Sequence, residues 1–422
     1  MKIKDIYLEN FRGFDQLHLN LDGKSTIIVG ANGAGKSSVI NSAVTSLSLI
    51  IDKLSYNISK KIDLHETDIK NGKQRYIIRT LVEHNDYEGF IEIIKTRSKT
   101  AQSKSPSSSR RSNFSNIVES VHKALDSTEN INVPVAVFYS AHRNVIDVPL
   151  RIKNKHEFDQ FSAYLNCFSS RTDFRAFFEW FRNQEDIENE EKLDSDITYK
   201  DRQLEAVRSA VYGFMRGFTD LRIMRKGKMR MVISKNGHRL EINQLSDGEK
   251  CTLAMIGDLA RRLALANPYL ENPLDGEGIV FIDEIELHLH PAWQREIIGR
   301  LEGIFPNIQF IISTHSPQVL GEVDFAKVYI INEIQDKNDY SATLVSSTFG
   351  KDSNLILEEY MSASSKNKEI KSKIDTLYKY ITLNNLESAN ELLEYLSNII
   401  GEDDPNLIKA KLIIQRKASL GK

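Results

Sequence analysis

Four short stretches of this chain carry side chains whose types and spacing can do chemistry. The first is GANGAGKS, residues 30–37. Gly30 and Gly35 let the main chain curl tightly, so that the N–H groups of Asn32, Gly33, Ala34, Gly35, Lys36, Ser37 and Ser38, with the N-terminus of the helix that follows, converge on anionic oxygens. Lys36 then reaches the β- and γ-phosphates as a point charge, and the Ser37 hydroxyl ligates Mg²⁺. The pattern predicts a bound nucleoside triphosphate.

The second stretch, GIVFIDE (278–284), is a run of large apolar residues ending in two carboxylates. Such carboxylates at the end of a buried strand are costly without a cation nearby. Asp283 is the expected partner in the Mg²⁺ shell, directly or through water, and Glu284 the group that orients and deprotonates the attacking water.

The third stretch, LSDGEK (245–250), places a serine at the N-cap of a helix with a glycine two residues on. Read alone it is a well-capped helix. Beside GANGAGKS, its residues Ser246, Gly248 and Glu249 define a second anion-facing surface aimed at a γ-phosphate. One nucleotide rarely needs two such surfaces from one chain, so the expectation is that the helix of one copy closes over the phosphate loop of another. In the fourth stretch, FIISTHSP, His315 follows an apolar strand and is assigned a γ-phosphate contact that senses hydrolysis.

The elements that must position these groups are legible in part. Residues 3–10, 15–21 and 25–29 read as strands, the second with Leu17, Leu19 and Leu21 in a period-two pattern. From Lys36, Val39, Ile40, Ala43, Val44 and Leu47 recur at helical spacing. Residues 76–84 and 87–96 predict a hairpin, and VPVAVFY (133–139) a strand buried on both faces. The serine-rich segment 97–116, with no acidic residue, reads as a disordered basic loop.

Helical spacing returns over 156–218, where Phe174, Phe177, Phe178 and Phe181 share one face. The acidic run EDIENEEKLDSD reads as a solvated helix end or loop, and the segment around 225–228 as a basic hairpin. Beyond Met361, Leu386, Leu392, Leu393, Leu396 and Ile399 form a stripe in a separate helical module, either a cap or a docking platform. The expected organisation is an N-terminal half-head over 1–154, a helical insertion over 155–219, a C-terminal half-head over 220–360 and a helical interaction module over 361–422.

Composition sets limits on partners. The 56 basic and 58 acidic residues leave a net charge of −2, so attraction to nucleic acid has to come from local patches. Those on offer are Arg110 and Arg111 in the basic loop, and Arg222, Arg225, Lys226, Lys228 and Arg230 in the hairpin; each reads equally as a solvated face. Two cysteines are too few for a disulfide framework and fit a reducing compartment, with the cytoplasm as the default. No signal peptide and no membrane span are expected.

In order along the chain, GANGAGKS, LSDGEK, IVFIDE, the ELHLHP turn and STHSP resemble the ABC-type ATPase heads, and the opening ENFRGF resembles the start of RecF, SMC and OLD-family proteins. The resemblance covers about residues 1–345 and implies an α/β head built on a mixed sheet, ATP and Mg²⁺ as cofactors, and ATP hydrolysis. Asp247 and Glu249 depart from the transporter-type signature, as does IELHLHP after the Asp-Glu strand. Both departures resemble the repair and defence branch, in which Glu286, His288 and His290 would lie at a dimer seam.

More narrowly, YSAHRNV, DFRAFFEWFRNQEDIENE and GEDDPNLIKAKLI look like the PtuA ATPases of Septu and related retron antiphage systems. That likeness implies a homodimer or a higher even-numbered assembly, an HNH endonuclease partner of the PtuB kind, and DNA or a retron RNA–DNA as a further ligand. It also implies slow, regulatory hydrolysis. Asp68 is a candidate for the Gln-loop position or a plain turn residue. Arg12 could touch nucleotide, and Arg143 phosphate or DNA, or each could form an ordinary ion pair. A RecF/SMC-like DNA-binding repair ATPase and an OLD-type nuclease stand as alternatives; no Asp-x-Asp cluster follows KVYIINEI to support the second.

Overall fold

The computed structural model describes the chain apart from residues 57–61, 63, 98–107, 128–129, 144–157, 170–173, 228, 325, 335–336, 338, 362–366 and 421–422. Alternating apolar residues build the first strands, β1 (Lys2–Phe11) and β2 (Phe14–Asn20), which pair antiparallel. Next, TIIVG forms β3 (Thr26–Gly30), buried throughout, and the glycine loop delivers the chain into α1 (Lys36–Leu54). The expected hairpin is β4 (Arg75–His84) with β5 (Tyr87–Thr96).

The expectation of a disordered loop over 97–116 is corrected where the chain is described. Residues Ser108–Ser112 form β6, antiparallel to β5, and α2 (Ser115–Ser127) follows. Composition missed two local anchors. The open edge of β5 offers main-chain partners to any extended segment, and Phe114 is buried while the Asn113 side chain accepts from Phe90 N at 2.6 Å. The rest of the expected loop, 98–107, lies outside the described residues.

The fully buried β7 (Val135–Tyr139) precedes the helices α3 (Phe174–Asp194) and α4 (Arg202–Phe214). Here the acidic run is the expected helix end, exposed over most of its length, with two residues corrected. Glu185 and Glu188 lie inside α3 and are buried, because arginines meet them: Arg208 reaches both, and Arg225 donates to Glu185 at 2.7 Å. A small antiparallel sheet of β8 (Phe218–Met224), β9 (Arg230–Lys235) and β10 (His238–Glu241) leads to α5 (Asp247–Ala266).

The remaining head elements are β11 (Gly278–Ile282), α6 (Pro291–Ile304), β12 (Ile308–Thr314), α7 (Pro317–Leu320), β13 (Lys327–Ile334) and β14 (Asp339–Val345). Six strands make the central sheet in the order β14-β13-β3-β12-β11-β7, parallel except for β14. A second, antiparallel sheet has the order β2-β1-β4-β5-β6. Gln309 of β12 ties the two sheets together: it accepts from Ile3 N at 2.7 Å and donates to Ile3 O at 2.9 Å.

Contacts divide the chain into one unit at Met1–Ile356 and another at Leu357–Lys422, with α8 (Ser353–Tyr360) crossing the division. The second unit holds α9 (Lys368–Thr382), α10 (Leu386–Ile400) and α11 (Pro405–Leu420). Its own core includes Leu377, Ile381, Ala389, Leu393, Leu396 and Leu407. Of the leucine stripe, Leu393 and Leu396 are buried and Ile399 is half exposed.

Candidate active site

Topology gathers the first two chemical stretches. Strands β3, β12 and β11 are parallel neighbours, so their carboxyl ends open on one edge of the sheet, where ligands of open α/β sheets bind. The phosphate loop leaves β3, Asp283 leaves β11, and Ser313 sits near the end of β12 between them. Ser37 Oγ donates to Asp283 Oδ1 at 3.1 Å although 246 positions separate the two residues. Ser313 Oγ also donates to Asp283 Oδ1 and accepts from Glu284 N at 2.9 Å. Sequence reasoning passes over Ser313, because a serine near a strand end carries no signal by itself.

Two glycines of the loop are required by geometry. A Cβ on Gly35, at φ 95°, would stand 2.6 Å from Phe14 Cζ. A Cβ on Gly30 would meet Ile331 O at 2.6 Å. Asn32 and Gly33 are exposed at the loop crest, Ala34 is buried, and Lys36 Nζ donates to the carbonyls of Gly30 and Ala31 at 2.8 and 3.0 Å. Burial lowers the Lys36 pKa, against the opposing pull of the Glu284, Glu286 and Asp283 carboxylates.

Glu284 takes φ 50°, in the left-handed region that residues with a Cβ rarely visit. Main-chain carbonyls on either side of it are held by Arg143. This guanidinium is 5% exposed and donates to Asp283 O at 2.6 Å, Glu284 O at 2.7 Å, Ile285 O at 3.3 Å and Ser140 O at 3.2 Å. Its pKa is lowered, chiefly by burial. Arg143 is therefore buried and not a surface ion pair; both of its Nη groups donate to main-chain carbonyls inside the fold.

Glu286 is buried and gathers His315. It accepts from His315 N at 2.7 Å and Thr314 Oγ1 at 2.8 Å, and lies 2.7 Å from His315 Nδ1. A carboxylate offers only acceptors, so the Nδ1 proton points at it and Nε2 is left to face solvent or ligand. The side chain of His315 is 43% exposed.

The LSDGEK helix is built differently from its expectation in one respect. Ser246 caps α5 through Glu249 N, and Glu249 returns the bond to Ser246 N at 3.0 Å. The Glu249 carboxylate also pairs with Lys235 at 2.6 Å, so it is occupied by the cap and the ion pair. Gly248 packs against the turn after β11: a Cβ there would stand 2.2 Å from His288 O. Ser246, Gly248 and Glu249 line a cleft of about 370 Å³ with Arg216, Lys235, His288, His290 and Trp293. No phosphate-loop residue lines that cleft. The structure thus joins Ser37, Asp283, Ser313 and Glu284 in one place, and Ser246 with Gly248 in another.

Deeper in α5, Asp258 accepts from Arg261 and Arg262 at 2.8 Å each and from Tyr139 OH at 2.9 Å, all four side chains being buried. This network fixes the helix to β7. Desolvation opposes ionisation of Asp258, yet the two guanidiniums hold its pKa below the usual carboxylate range.

Other anticipated residues fall as follows. Arg12 donates to Asp68 Oδ1 at 2.8 Å and to Ser38 Oγ at 3.3 Å, beside the phosphate loop, and Asp68 ends a single 3-10 turn. His290 caps α6. In the basic hairpin Arg222 pairs with Asp220, Arg225 with Glu185 and Asp186, and Arg230 with Glu241; Lys228 lies outside the described residues. Arg110 is exposed, and Arg111 lies 3.9 Å from Glu92. Among the described residues no group of three or more His, Cys, Asp or Glu forms a metal cluster, and no helix is long and apolar enough to cross a membrane.

A phosphate loop and an Asp-Glu strand end on two parallel strands flanking β12, with a capped signature helix outside them, define an ABC-type ATPase head. Residues 25–321 match the family described as "AAA domain, putative AbiEii toxin, Type IV TA system", and the chain belongs to this family of ATPases. It is 32% identical to "Retron Ec83 probable ATPase" of Escherichia coli, across 99% of this chain and 87% of that one. It is 31% identical to "Retron Vc95 probable ATPase" of Vibrio cholerae (83% and 77% covered) and 22% identical to "Septu protein PtuA" of Bacillus thuringiensis (82% and 80%). Among solved structures, an SMC head bound to the C-terminal winged-helix domain of ScpA shares the fold, with a TM-score of 0.50 at 15% identity over 82% of this chain and 98% of that one.

Proposed function

We propose that this chain is the ATP-hydrolysing regulatory subunit of an antiphage defence complex of the retron and Septu kind. Two copies close around ATP, and the closure controls an associated HNH nuclease of the PtuB kind. The observation that carries the reading is the separation just described: the Ser37–Asp283 cradle and the Ser246–Gly248 cleft are distinct surfaces of one chain, so a nucleotide that touches both is shared between chains.

Ser37 Oγ and Asp283 Oδ1 are hard oxygen ligands at 3.1 Å from each other, which fits a Mg²⁺ ion. Held by Ser37 and Asp283, such an ion would supply charge neutralisation for the phosphates of the nucleotide. Lys36 turns its ammonium from the loop carbonyls to the phosphate oxygens. Glu284 accepts the proton of the attacking water, giving ADP and inorganic phosphate, and His315, held by Glu286, reads the departure of the γ-phosphate through Nε2. Even-numbered assembly follows from isologous closure of two heads. The arginines of the basic hairpin are engaged by carboxylates, which weakens a reading of the chain as a DNA clamp in repair.

The test is Glu284→Gln. Loss of a general base costs roughly 10²–10⁴-fold in rate, so the variant should retain ATP, stop hydrolysing and accumulate as a dimer by sedimentation. Hydrolysis within threefold of wild type, on the order of RT in barrier height, would remove Glu284 from this role. DNA cleavage by the co-expressed nuclease, measured with and without ATP, tests the control step.

A further inference from the structure

Arg143 is a buried cation whose hydrogen bonds among the described residues all end on main-chain oxygens. Three of those oxygens belong to consecutive residues, Asp283, Glu284 and Ile285. Successive carbonyls of a strand point in opposite directions, so three can face one guanidinium only where the strand breaks into a turn. That break is the left-handed residue Glu284. Its N–H is tied from the other side, to the hydroxyl of Ser313, which also holds Asp283. Arg143 carries its charge among the carboxylates of Asp283, Glu284 and Glu286, and so offsets the repulsion that crowding them creates. The carbonyl of Arg143 itself accepts from Cys251 Sγ, at 3.6 Å, on the signature helix α5.

We propose that Arg143 is a positioning residue for hydrolysis: its planar fork locks the Asp283–Ile285 turn so that the Glu284 carboxylate is aimed at the water, and links that turn to α5. The inference rests on Glu284 being the group that activates water. A guanidinium suits the task because its donors are fixed in one plane, whereas a lysine has a single rotating ammonium. Misplacing a catalytic group by about 1 Å costs on the order of 10²-fold.

The experiment compares full-length wild type, Arg143→Gln, Arg143→Lys, Glu284→Gln and the Arg143→Gln/Glu284→Gln double variant. It reads single-turnover ATP hydrolysis and the Kd of a fluorescent ATP analogue. Arg143→Gln should lose roughly 30- to 100-fold in rate with the Kd kept within about threefold, and Arg143→Lys should lose less, about tenfold. In the Glu284→Gln background the Arg143 change should add less than about twofold, because the group it positions is gone. If Arg143→Gln does not fold, Arg143→Lys alone and in the Glu284→Gln background gives the same reading. Equal losses in both backgrounds, or a Kd that weakens in step with the rate, would overturn the inference while the role of Glu284 stands. A Glu284→Gln variant as fast as wild type would sink that role and this inference together.

Discussion

Replacing Asp258 with alanine tests whether the signature helix is anchored by buried charge. The carboxylate is 1% exposed and receives three donors, Arg261 and Arg262 at 2.8 Å and Tyr139 at 2.9 Å. Its removal leaves two guanidiniums, each 2% exposed, without their counter-ion. Breaking a buried pair in this way costs about 3–5 kcal/mol. The unit spanning Met1–Ile356 has an unfolding entropy of about 750 cal/mol/K at roughly 2.1 cal/mol/K per residue, so Tm should fall by about 4–7 °C. Differential scanning calorimetry reads the shift. Replacing Arg261 and Arg262 with methionine in the same protein should recover much of it, since apolar packing substitutes well for a buried ion cluster. A Tm within about 1 °C of wild type for Asp258→Ala, or no recovery in the triple variant, would refute the anchoring argument.

Gly35→Ala puts a Cβ against the Phe14 ring at a left-handed position; it should cost about 2–4 kcal/mol from overpacking and backbone strain, read by thermal melting, and weaken ATP binding in parallel. His84 is buried and its pKa is pushed down to about 4, first by desolvation and then by the Met1 amino group. The unfolded chain binds the proton below about pH 6.5 and the folded chain only below about 4. This group's contribution is therefore intact above pH 6.5 and lost as pH falls towards 4, by up to about 3 kcal/mol. Denaturant titrations across that range should show the slope, and His84→Gln should flatten it. Removing residues 362–422 should leave ATP affinity within about threefold of wild type, because the head is a contact unit of its own.

The parts of the site written in local spacing were readable before the structure. GANGAGKS announced β3, the loop and α1, and the apolar run to Asp283 announced β11. What escaped was chemistry made by distant pieces. Arg143 bonds main-chain oxygens that lie some 140 positions along the chain, and a carbonyl has no letter in a sequence. Ser313 matters only because β12 lies between β3 and β11, an order of strands that periodicity does not encode. The buried Glu185 and Glu188 looked like solvent-facing charge until Arg208 and Arg225 arrived from α4 and the segment after β8. The Asp258, Arg261 and Arg262 trio was visible at i, i+3 and i+4, but spacing alone says nothing of its burial. Strand β6 formed despite its composition because an edge and the Phe114 anchor were available.

The shared-nucleotide claim is tested most directly by mixing two inactive copies, Lys36→Ala and Ser246→Arg. A pair made of one of each carries one damaged site, formed from both altered faces, and one intact site, formed from the Lys36 of one copy and the Ser246 of the other. Equal mixing should restore hydrolysis to about a quarter of wild type, since half of the pairs are mixed and each has one working site of two. A mixture no faster than its separate components would place each nucleotide within a single copy and contradict the account.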